Sequence, residues 1–416
     1  MFKRAWPVCL IVSLLTSGSA QSAERPAARR GESPPTQTAE KLRAGDEIRI
    51  VCFGDSVTGL YYHTGGKRAY TDMLALALRK TYPDAKLTAI NAGISGNTTA
   101  DALLRIDKDV LAHKPTLVTV MFGLNDMVRV PLDQFRANLQ SIIEKCRGAG
   151  AEVLLCTPNN VINTGGRPID KLVEYCGAIR DVSRAQNVAL CDCYDALEKL
   201  RSRDALAWRL LLSDEIHPNM DGHKREAEFI AQSITGRAVS LDDVPPPSPA
   251  IERTLSLIAQ GQPVKILAMP PYDELIRPAL AAIAPDAKLK ITPWPVAGSN
   301  LKAIAEDAKQ RVRTAKPDLV LIAVPPTAQY DNREALISNF TWIMNWSLSF
   351  GRQEWDCVVV HPNVAVPGAA RGEAEALLRR LVATQDLTLI DRGPKDRQSA
   401  AELLAAWCQA QSKPSK

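Results

Sequence analysis

Apolar and polar positions alternate in blocks between residues 45 and 240. Short apolar runs, which predict strands, occur at 48–53, 86–91, 116–122, 151–157 and 188–192. Segments with helical spacing of apolar residues lie between them, at 70–82, 98–112, 133–147 and 169–186. Continuous Val, Ile and Leu runs are typical of strands covered on both faces. The regular alternation of strand and helix therefore predicts a mainly parallel sheet in a three-layer α/β/α sandwich.

The pattern begins again after a proline-rich segment at 241–250, which we predict to be a linker. PDAKL at 83–87 recurs at 285–289, and KPTLV at 114–118 recurs as KPDLV, in both cases 202 residues further along. Several matches in one register indicate two copies of one fold in tandem. The predicted domains are 45–240 and 251–410, both flavodoxin-like.

The amino terminus predicts export. Lys3 and Arg4 precede a short apolar run and small residues that end at Ala20, so 1–20 is predicted to be a cleavable signal peptide. Polar residues at 21–44 predict a flexible tether. Since no later segment has the ~18–20 unbroken apolar residues of a spanning helix, we expect a secreted or periplasmic protein without stable membrane insertion.

Composition excludes some classes of function. The formal net charge is +5 and the two signs are interspersed, which argues against nucleic acid as a partner. Eight cysteines remain after the signal peptide, and those in apolar runs are expected to be buried free thiols. Cys191 and Cys193 have no second pair at metal-ligand spacing, so no metal site is predicted.

Four motifs lie at the carboxyl ends of predicted strands or just beyond them, where parallel α/β sheets bind ligands. They are FGDSVTG at 53–59, ISGNTT at 94–99, GLND at 123–126 and DEIHPN at 214–219. A serine hydroxyl becomes nucleophilic only when a base accepts its proton. Of the five histidines, only His217 combines a loop position with a carboxylate three residues earlier, Asp214. We therefore predict Ser56 as nucleophile, His217 as base and Asp214 as its partner.

The four motifs, in this order over about 195 residues, resemble the SGNH (GDSL-type) hydrolase family, whose Gly-Asp-Ser block matches 54–56. The resemblance implies a serine esterase that needs no metal or organic cofactor. It also implies an oxyanion hole formed by the backbone N–H groups of Ser56 and Gly96 and the side-chain amide of Asn125. The oligomeric state is left open.

The loop at 60–70 is aromatic and basic, which suits a sugar ring. The candidate substrate-binding residues are Asp55, Tyr61, Tyr62, His63 and Arg68. We expect a small-molecule or polysaccharide ester as substrate, with O-acetyl groups on carbohydrate favoured. A lysophospholipase or thioesterase acting on longer acyl chains is the alternative within the same chemistry. A non-catalytic carbohydrate-binding protein is the alternative outside it.

The second copy lacks the chemistry of the first. Tyr272 aligns with Ser56, Thr327 aligns with Asn125, and no histidine follows His361. We predict a degenerate SGNH-like domain without esterase activity. Such a domain either packs on the first and shapes its cleft or binds carbohydrate.

Overall fold

The computed structural model describes residues 36–348, 355–368, 372–393 and 395–412. The predicted signal peptide, 1–20, and residues 21–35 of the predicted tether lie outside these ranges. All described residues belong to one compact body. Its two halves, each with one sheet, are called the first unit and the second unit. Within the described residues, no helix is long and apolar enough to cross a bilayer.

The first half of the chain forms a five-stranded parallel sheet in the order β2-β1-β3-β4-β5, flanked by helices. Its strands are β1 Glu47–Gly54, β2 Lys86–Gly93, β3 Leu117–Met121, β4 Glu152–Cys156 and β5 Ala189–Cys191. Its helices are α1 Thr36–Ala44, α2 Tyr70–Thr81, α3 Thr99–Asp109, α4 Asp126–Arg129, α5 Leu132–Gly148, α6 Ile169–Gln186, α7 Cys193–Arg203, α8 Ala205–Arg209 and α9 Met220–Thr235. Every residue of β3 is buried, as expected for a strand covered on both faces.

The second half repeats this topology. Its strands are β6 Val264–Ala268, β7 Leu289–Pro293, β8 Leu319–Ile322, β9 Asp356–Val360 and β10 Thr388–Ile390. Its helices are α10 Glu252–Ala259, α11 Tyr272–Ala281, α12 Leu301–Ala315, α13 Arg333–Ser347, α14 Pro362–Ala365, α15 Glu373–Thr384 and α16 Ala400–Gln411. The strand order is β7-β6-β8-β9-β10, which is the order of the first sheet, and all pairs are parallel. The predicted fold class, two tandem α/β/α units, is confirmed.

Backbone conformation repeats along with topology. Gly96 and Gly298, 202 residues apart, have φ values of +77° and +75°. Lys114 and Lys316, at the same offset, also adopt positive φ, at +50° and +42°. Non-glycine residues rarely occupy this region, so the shared conformation supports an internal repeat. That the second unit is a degenerate copy of the first stays an interpretation.

The prediction of a flexible tether is wrong for residues 36–44, which form helix α1. Leu42 is buried in the core of the first unit, and Ala39 is also buried. The hydroxyl and backbone N–H of Thr38 both donate to the carboxylate of Glu152, each at 2.6 Å. Ala39 and Leu42 lie three residues apart on one helical face, and this short apolar stripe was hidden by the polar composition around it.

The proline-rich segment at 241–250 contains no helix or strand, as its composition predicts. It is nevertheless packed, since Leu241 is buried and the carbonyl of Pro245 accepts a hydrogen bond from Arg68. The eight cysteines in the described residues are buried free thiols, as expected. The domain limits drawn from the sequence remain predictions.

Candidate active site

Ser56 lies two residues beyond the end of β1, in a tight turn that the side chain of Asp55 closes. Asp55 Oδ1 accepts from the N–H of Val57 at 3.0 Å, and the carbonyl of Asp55 accepts from Gly59 N at 3.0 Å. A Cβ at Gly54 would collide with the hydroxyl of Thr58, so the turn requires glycine there. The turn presents a serine that is 9% exposed.

Ser56, His217 and Asp214 form one hydrogen-bonded chain. Ser56 Oγ lies 2.9 Å from His217 Nε2, and His217 Nδ1 lies 2.8 Å from Asp214 Oδ2. Since a carboxylate only accepts, Nδ1 carries the proton and Nε2 is free to accept from the serine. Asp214 Oδ1 also accepts from the backbone N–H groups of Ile216 and His217, at 2.7 and 2.8 Å. The short turn therefore holds both side chains, as the D-x-x-H spacing predicts.

Electrostatics support this arrangement. Burial alone would lower the pKa of His217, but the charge and hydrogen bond of Asp214 outweigh it, and the pKa of His217 is raised. Burial would likewise raise the pKa of Asp214. The charge and hydrogen bonds of His217 and the hydroxyl of Tyr62 instead hold the Asp214 pKa well below its usual range. Asp214 is thus a carboxylate positioned to stabilise an imidazolium.

The predicted oxyanion groups lie at the same edge of the sheet. Within the described part of the chain, no acceptor pairs with the backbone N–H of Ser56 or of Gly96. The side-chain amide of Asn125 donates to Asp55 Oδ2 at 3.2 Å and to the carbonyl of Asn97 at 3.1 Å. Two backbone donors are therefore free, and the amide is held between two acceptors.

Asp55 and His63, both predicted to contact substrate, have buried side chains, and their contact with substrate stays a prediction. Asp55 bonds Asn125 and the turn, and burial raises its pKa to about 6. His63 is 0% exposed and stacks on the ring of His217, with centroids 4.6 Å apart. His63 Nδ1 lies 3.3 Å from Nε2 of the buried His223, whose pKa burial lowers to about 3. Burial also lowers the pKa of His63, so neutral imidazoles lie behind the reactive one.

Tyr62 and Arg68, also predicted to contact substrate, lie near the site with protein partners, and their contact with substrate stays a prediction. Tyr62 points at the triad, since its hydroxyl donates to Asp214 Oδ2 at 2.5 Å. The guanidinium of Arg68 pairs with Asp386 of the second unit, Nε to Oδ2 at 2.7 Å. Tyr61 is half-buried and its hydroxyl accepts from Ser95 N–H at 2.8 Å. Substrate contact by Tyr61 stays a prediction.

Two arginines near the site were missed by the sequence analysis. Arg129 donates to the carbonyl of Gly96, and an NH2 group of Arg167 lies 3.3 Å from Asn125 Oδ1. Arg129 follows Asn125 by four residues, one helical turn, and this spacing was the available signal. Arg167 lies in a turn after β4, and nothing local marks it.

The second unit has no equivalent chain among its described residues. Tyr272 is buried at the start of α11, and Thr327 is exposed. His361 is buried and accepts from the N–H of Asn363 at 3.3 Å, capping α14. Of these positions, the described structure gives His361 a structural role, as the cap of α14.

A serine, an imidazole and a carboxylate hydrogen-bonded in series, at the carboxyl ends of a parallel sheet, define a serine hydrolase site. Residues 52–225 match the model of the GDSL-like Lipase/Acylhydrolase family. This part of the chain belongs to that family, the SGNH hydrolases, and the protein is a carboxylic ester hydrolase.

Relatives named as esterases match the first unit. The chain is 26% identical to an acetylxylan esterase of Geobacillus stearothermophilus over 218 residues, 46% of this chain and 96% of that enzyme. It is 28% identical to an arylesterase of Vibrio mimicus over 187 residues, 45% of this chain and 88% of the relative. A lipase/acylhydrolase structure from Enterococcus faecalis matches 46% of this chain and 97% of its own, with 29% identity and a TM-score of 0.39.

Proposed function

We propose that the protein is an exported serine esterase that removes O-acetyl groups from carbohydrate through an acyl-enzyme on Ser56. The observation that carries this proposal is the 2.9 Å contact between Ser56 Oγ and His217 Nε2, with Asp214 bonded to the opposite ring nitrogen. Export rests on the sequence of residues 1–20.

The reaction has two halves. Ser56 Oγ attacks the ester carbonyl while His217 Nε2 takes the hydroxyl proton, forming a C–O bond and an oxyanion. The tetrahedral intermediate collapses, and the leaving alcohol takes the proton from His217. Water then gives a proton to His217 and attacks the acyl carbon. A second collapse releases acetate and returns the proton to Ser56.

The oxyanion would meet two free backbone donors and one side-chain amide that must reorient. The N–H groups of Ser56 and Gly96 are free, so they can bind the developing charge without breaking a bond. The amide of Asn125 must turn one hydrogen from Asp55 or Asn97 toward the oxyanion. Preorganised donors of this kind are each worth ~10²–10³ in rate.

The acetyl-carbohydrate assignment is supported by the acetylxylan esterase relative, which the chain covers almost completely. At 26% identity the relative suggests a substrate class for this chain and leaves the sugar open. Longer acyl esters, the substrates of a lysophospholipase or thioesterase, are the competing outcome.

The test combines a variant with a substrate series. Full-length wild type should release acetate from acetylated xylan and hydrolyse p-nitrophenyl acetate faster than the octanoate. Ser56→Ala should abolish both activities with the fold intact by circular dichroism. Ser202→Ala, which removes an exposed hydroxyl on α7, is the matched control and should not change the rates.

The outcomes separate the alternatives. A preference for octanoate would refute the acetylesterase assignment. A wild type that hydrolyses no ester but binds xylan would favour the carbohydrate-binding alternative. Fractionation of the producing cell tests export, since retention in the cytoplasm would contradict it.

A further inference from the structure

The loop that carries Asp214 and His217 is bonded to the second unit of the chain. We call residues 213–217 the triad loop. Its first residue, Ser213, is fully buried, and its N–H donates to the carbonyl of His217 at 2.8 Å, which closes the loop. This hydrogen bond fixes the first residue of the triad loop, directly before Asp214.

Ser213 has its side-chain partners in the second unit. Its hydroxyl donates to Asn345 Oδ1 at 2.8 Å, and Asn345 Nδ2 donates back to the carbonyl of Ser213 at 2.8 Å. Gln385 Nε2 donates to Ser213 Oγ at 3.0 Å and to Asn345 Oδ1 at 3.3 Å. Asn345 lies in α13 and Gln385 follows α15. All three side chains are buried.

The same helix also touches the other support of Asp214. Trp342 lies three residues before Asn345 in α13, and its ring packs on that of Tyr62 with centroids 6.1 Å apart. Tyr62 donates to Asp214 Oδ2 at 2.5 Å. One face of α13 thus contacts both the backbone before Asp214 and the tyrosine bonded to its carboxylate.

We propose that the second unit is a positioning element of the active site, with Asn345 and Gln385 as positioning residues that hold the triad loop. The proposal rests on the proposed function, because it assumes that Asp214 and His217 act in catalysis. Neither positioning residue is expected to touch substrate.

Because these groups are buried, losing a hydrogen bond among them is costly in free energy. A buried polar group that loses its partner costs far more than an exposed one, so the network strongly favours one arrangement of the loop. The His217 imidazole must stay within hydrogen-bond reach of Ser56. A displacement near 1 Å at a reacting group can cost about 10²-fold in rate. A change at Asn345 should therefore be transmitted to the triad.

The test uses full-length protein and p-nitrophenyl acetate. Asn345→Leu keeps a side chain branched at Cγ, Gln385→Leu keeps the approximate size, and both remove the hydrogen bonds. Each should lower kcat about 10–100-fold with little change in KM. The matched control is Glu334→Gln, on the same helix and interface, which weakens an ion pair with Arg209 but contacts no residue of the triad loop. It should keep the wild-type kcat.

A pH profile separates positioning from simple loss of fold. His217 faces charged or titratable groups on every side, namely Asp214, Asp55, Arg167, His63 and Tyr62. Of these, Asp214 raises its pKa most. If the loop moves Asp214 away, the acid limb of kcat/KM should shift to lower pH in the leucine variants. A merely structural role would leave the limb unchanged.

Folding and function are followed separately. Circular dichroism measures the folded fraction, so kcat is given per folded enzyme. Should the leucine variants not fold, Ser213→Ala removes the hydroxyl and keeps the bond to the carbonyl, with Ser213→Thr as its conservative rescue. Folded variants with wild-type kcat and an unshifted acid limb would overturn the proposal.

A measurement that needs no turnover distinguishes failure of the positioning proposal from failure of the proposed function. The proton on His217 Nδ1, bonded to Asp214, should give a downfield resonance in wild type and Glu334→Gln. The resonance should weaken or move in Asn345→Leu. If wild type hydrolyses no ester, the proposed function fails while this resonance still reports on the positioning. An unchanged resonance in Asn345→Leu would contradict the positioning role of Asn345.

Discussion

Tyr62→Phe removes one hydroxyl from behind the triad and leaves the ring in place. Asp214 accepts four hydrogen bonds: Oδ1 from the N–H groups of Ile216 and His217, and Oδ2 from His217 Nδ1 and the Tyr62 hydroxyl. The substitution removes only the last. The aromatic contact with Trp342 remains available to phenylalanine.

The size of the effect follows from the bonds that remain. A hydrogen bond to a charged group contributes about 1.5–3 kcal/mol. Tyr62 is only half-buried and Asp214 Oδ2 keeps His217, so we expect a loss of unfolding free energy near the lower value, about 1–2 kcal/mol. The imidazole stays bonded to Asp214, so kcat/KM at its optimum should fall by no more than about tenfold, or 1.4 kcal/mol.

The acid limb should move in a definite direction. The Tyr62 hydroxyl lowers the pKa of Asp214 and competes with His217 for Oδ2. Without it, the carboxylate accepts more strongly from the imidazolium, so the pKa of His217 should rise. Activity that needs neutral His217 would then appear only at higher pH.

The assay is kcat/KM for p-nitrophenyl acetate across the pH range in which histidine titrates. Tyr61→Phe is the matched control, because the hydroxyl of Tyr61 bonds Ser95 N–H and not the triad. It should leave the acid limb where it is in wild type. A limb that moves to lower pH in Tyr62→Phe, or a loss near that of removing the nucleophile, would refute the reasoning.

Three further predictions concern the oxyanion group, a buried acid and the interface. Asn125→Ala should lower kcat about 10²–10³-fold without moving the acid limb, and a loss under tenfold would argue against its role. Burial raises the pKa of Glu226, so the folded state keeps a proton that the unfolded state releases. The stability that this proton contributes is therefore lost as pH rises above the ordinary carboxyl pKa. The unfolding free energy of Glu226→Gln, measured in urea, should therefore rise relative to that of wild type as pH rises. Asp386→Asn removes the buried partner of Arg68 and Lys224 and should cost about 3 kcal/mol of unfolding free energy, while an unchanged denaturation midpoint would contradict this.

Much of the fold could be predicted because its signal is local. Strand β3 is a continuous apolar run in the sequence and is buried at every residue in the structure. Helix α6 spans Ile169–Gln186, within the limits that periodicity predicts. The carboxyl end of β1 places Ser56 at the edge where parallel sheets bind ligands. His217 follows helix α8 and not a strand, so strand order alone does not place it beside Ser56.

The rest depends on distant contacts that no local pattern encodes. Tyr62 bonds a residue 152 positions away, and Arg68 bonds one 318 positions away. Both lie in the irregular loop after β1, where no helical or strand periodicity predicts the direction of a side chain. Aromatic and basic composition suggested substrate there, but tertiary packing turned both side chains toward protein groups.

Buried polar residues lie at the interface between the two units, although apolar residues alone could hold the units together. Apolar burial is non-directional, so by itself it selects one arrangement of two surfaces less sharply than hydrogen bonds do. The hydrogen bonds among Ser213, Asn345 and Gln385 are 2.8–3.3 Å long, and a shift of α13 along the triad loop would lengthen them. The same arrangement also places Trp342 on Tyr62. A unit without a nucleophile of its own can therefore contribute to catalysis, because what it supplies is the position of the histidine and the carboxylate.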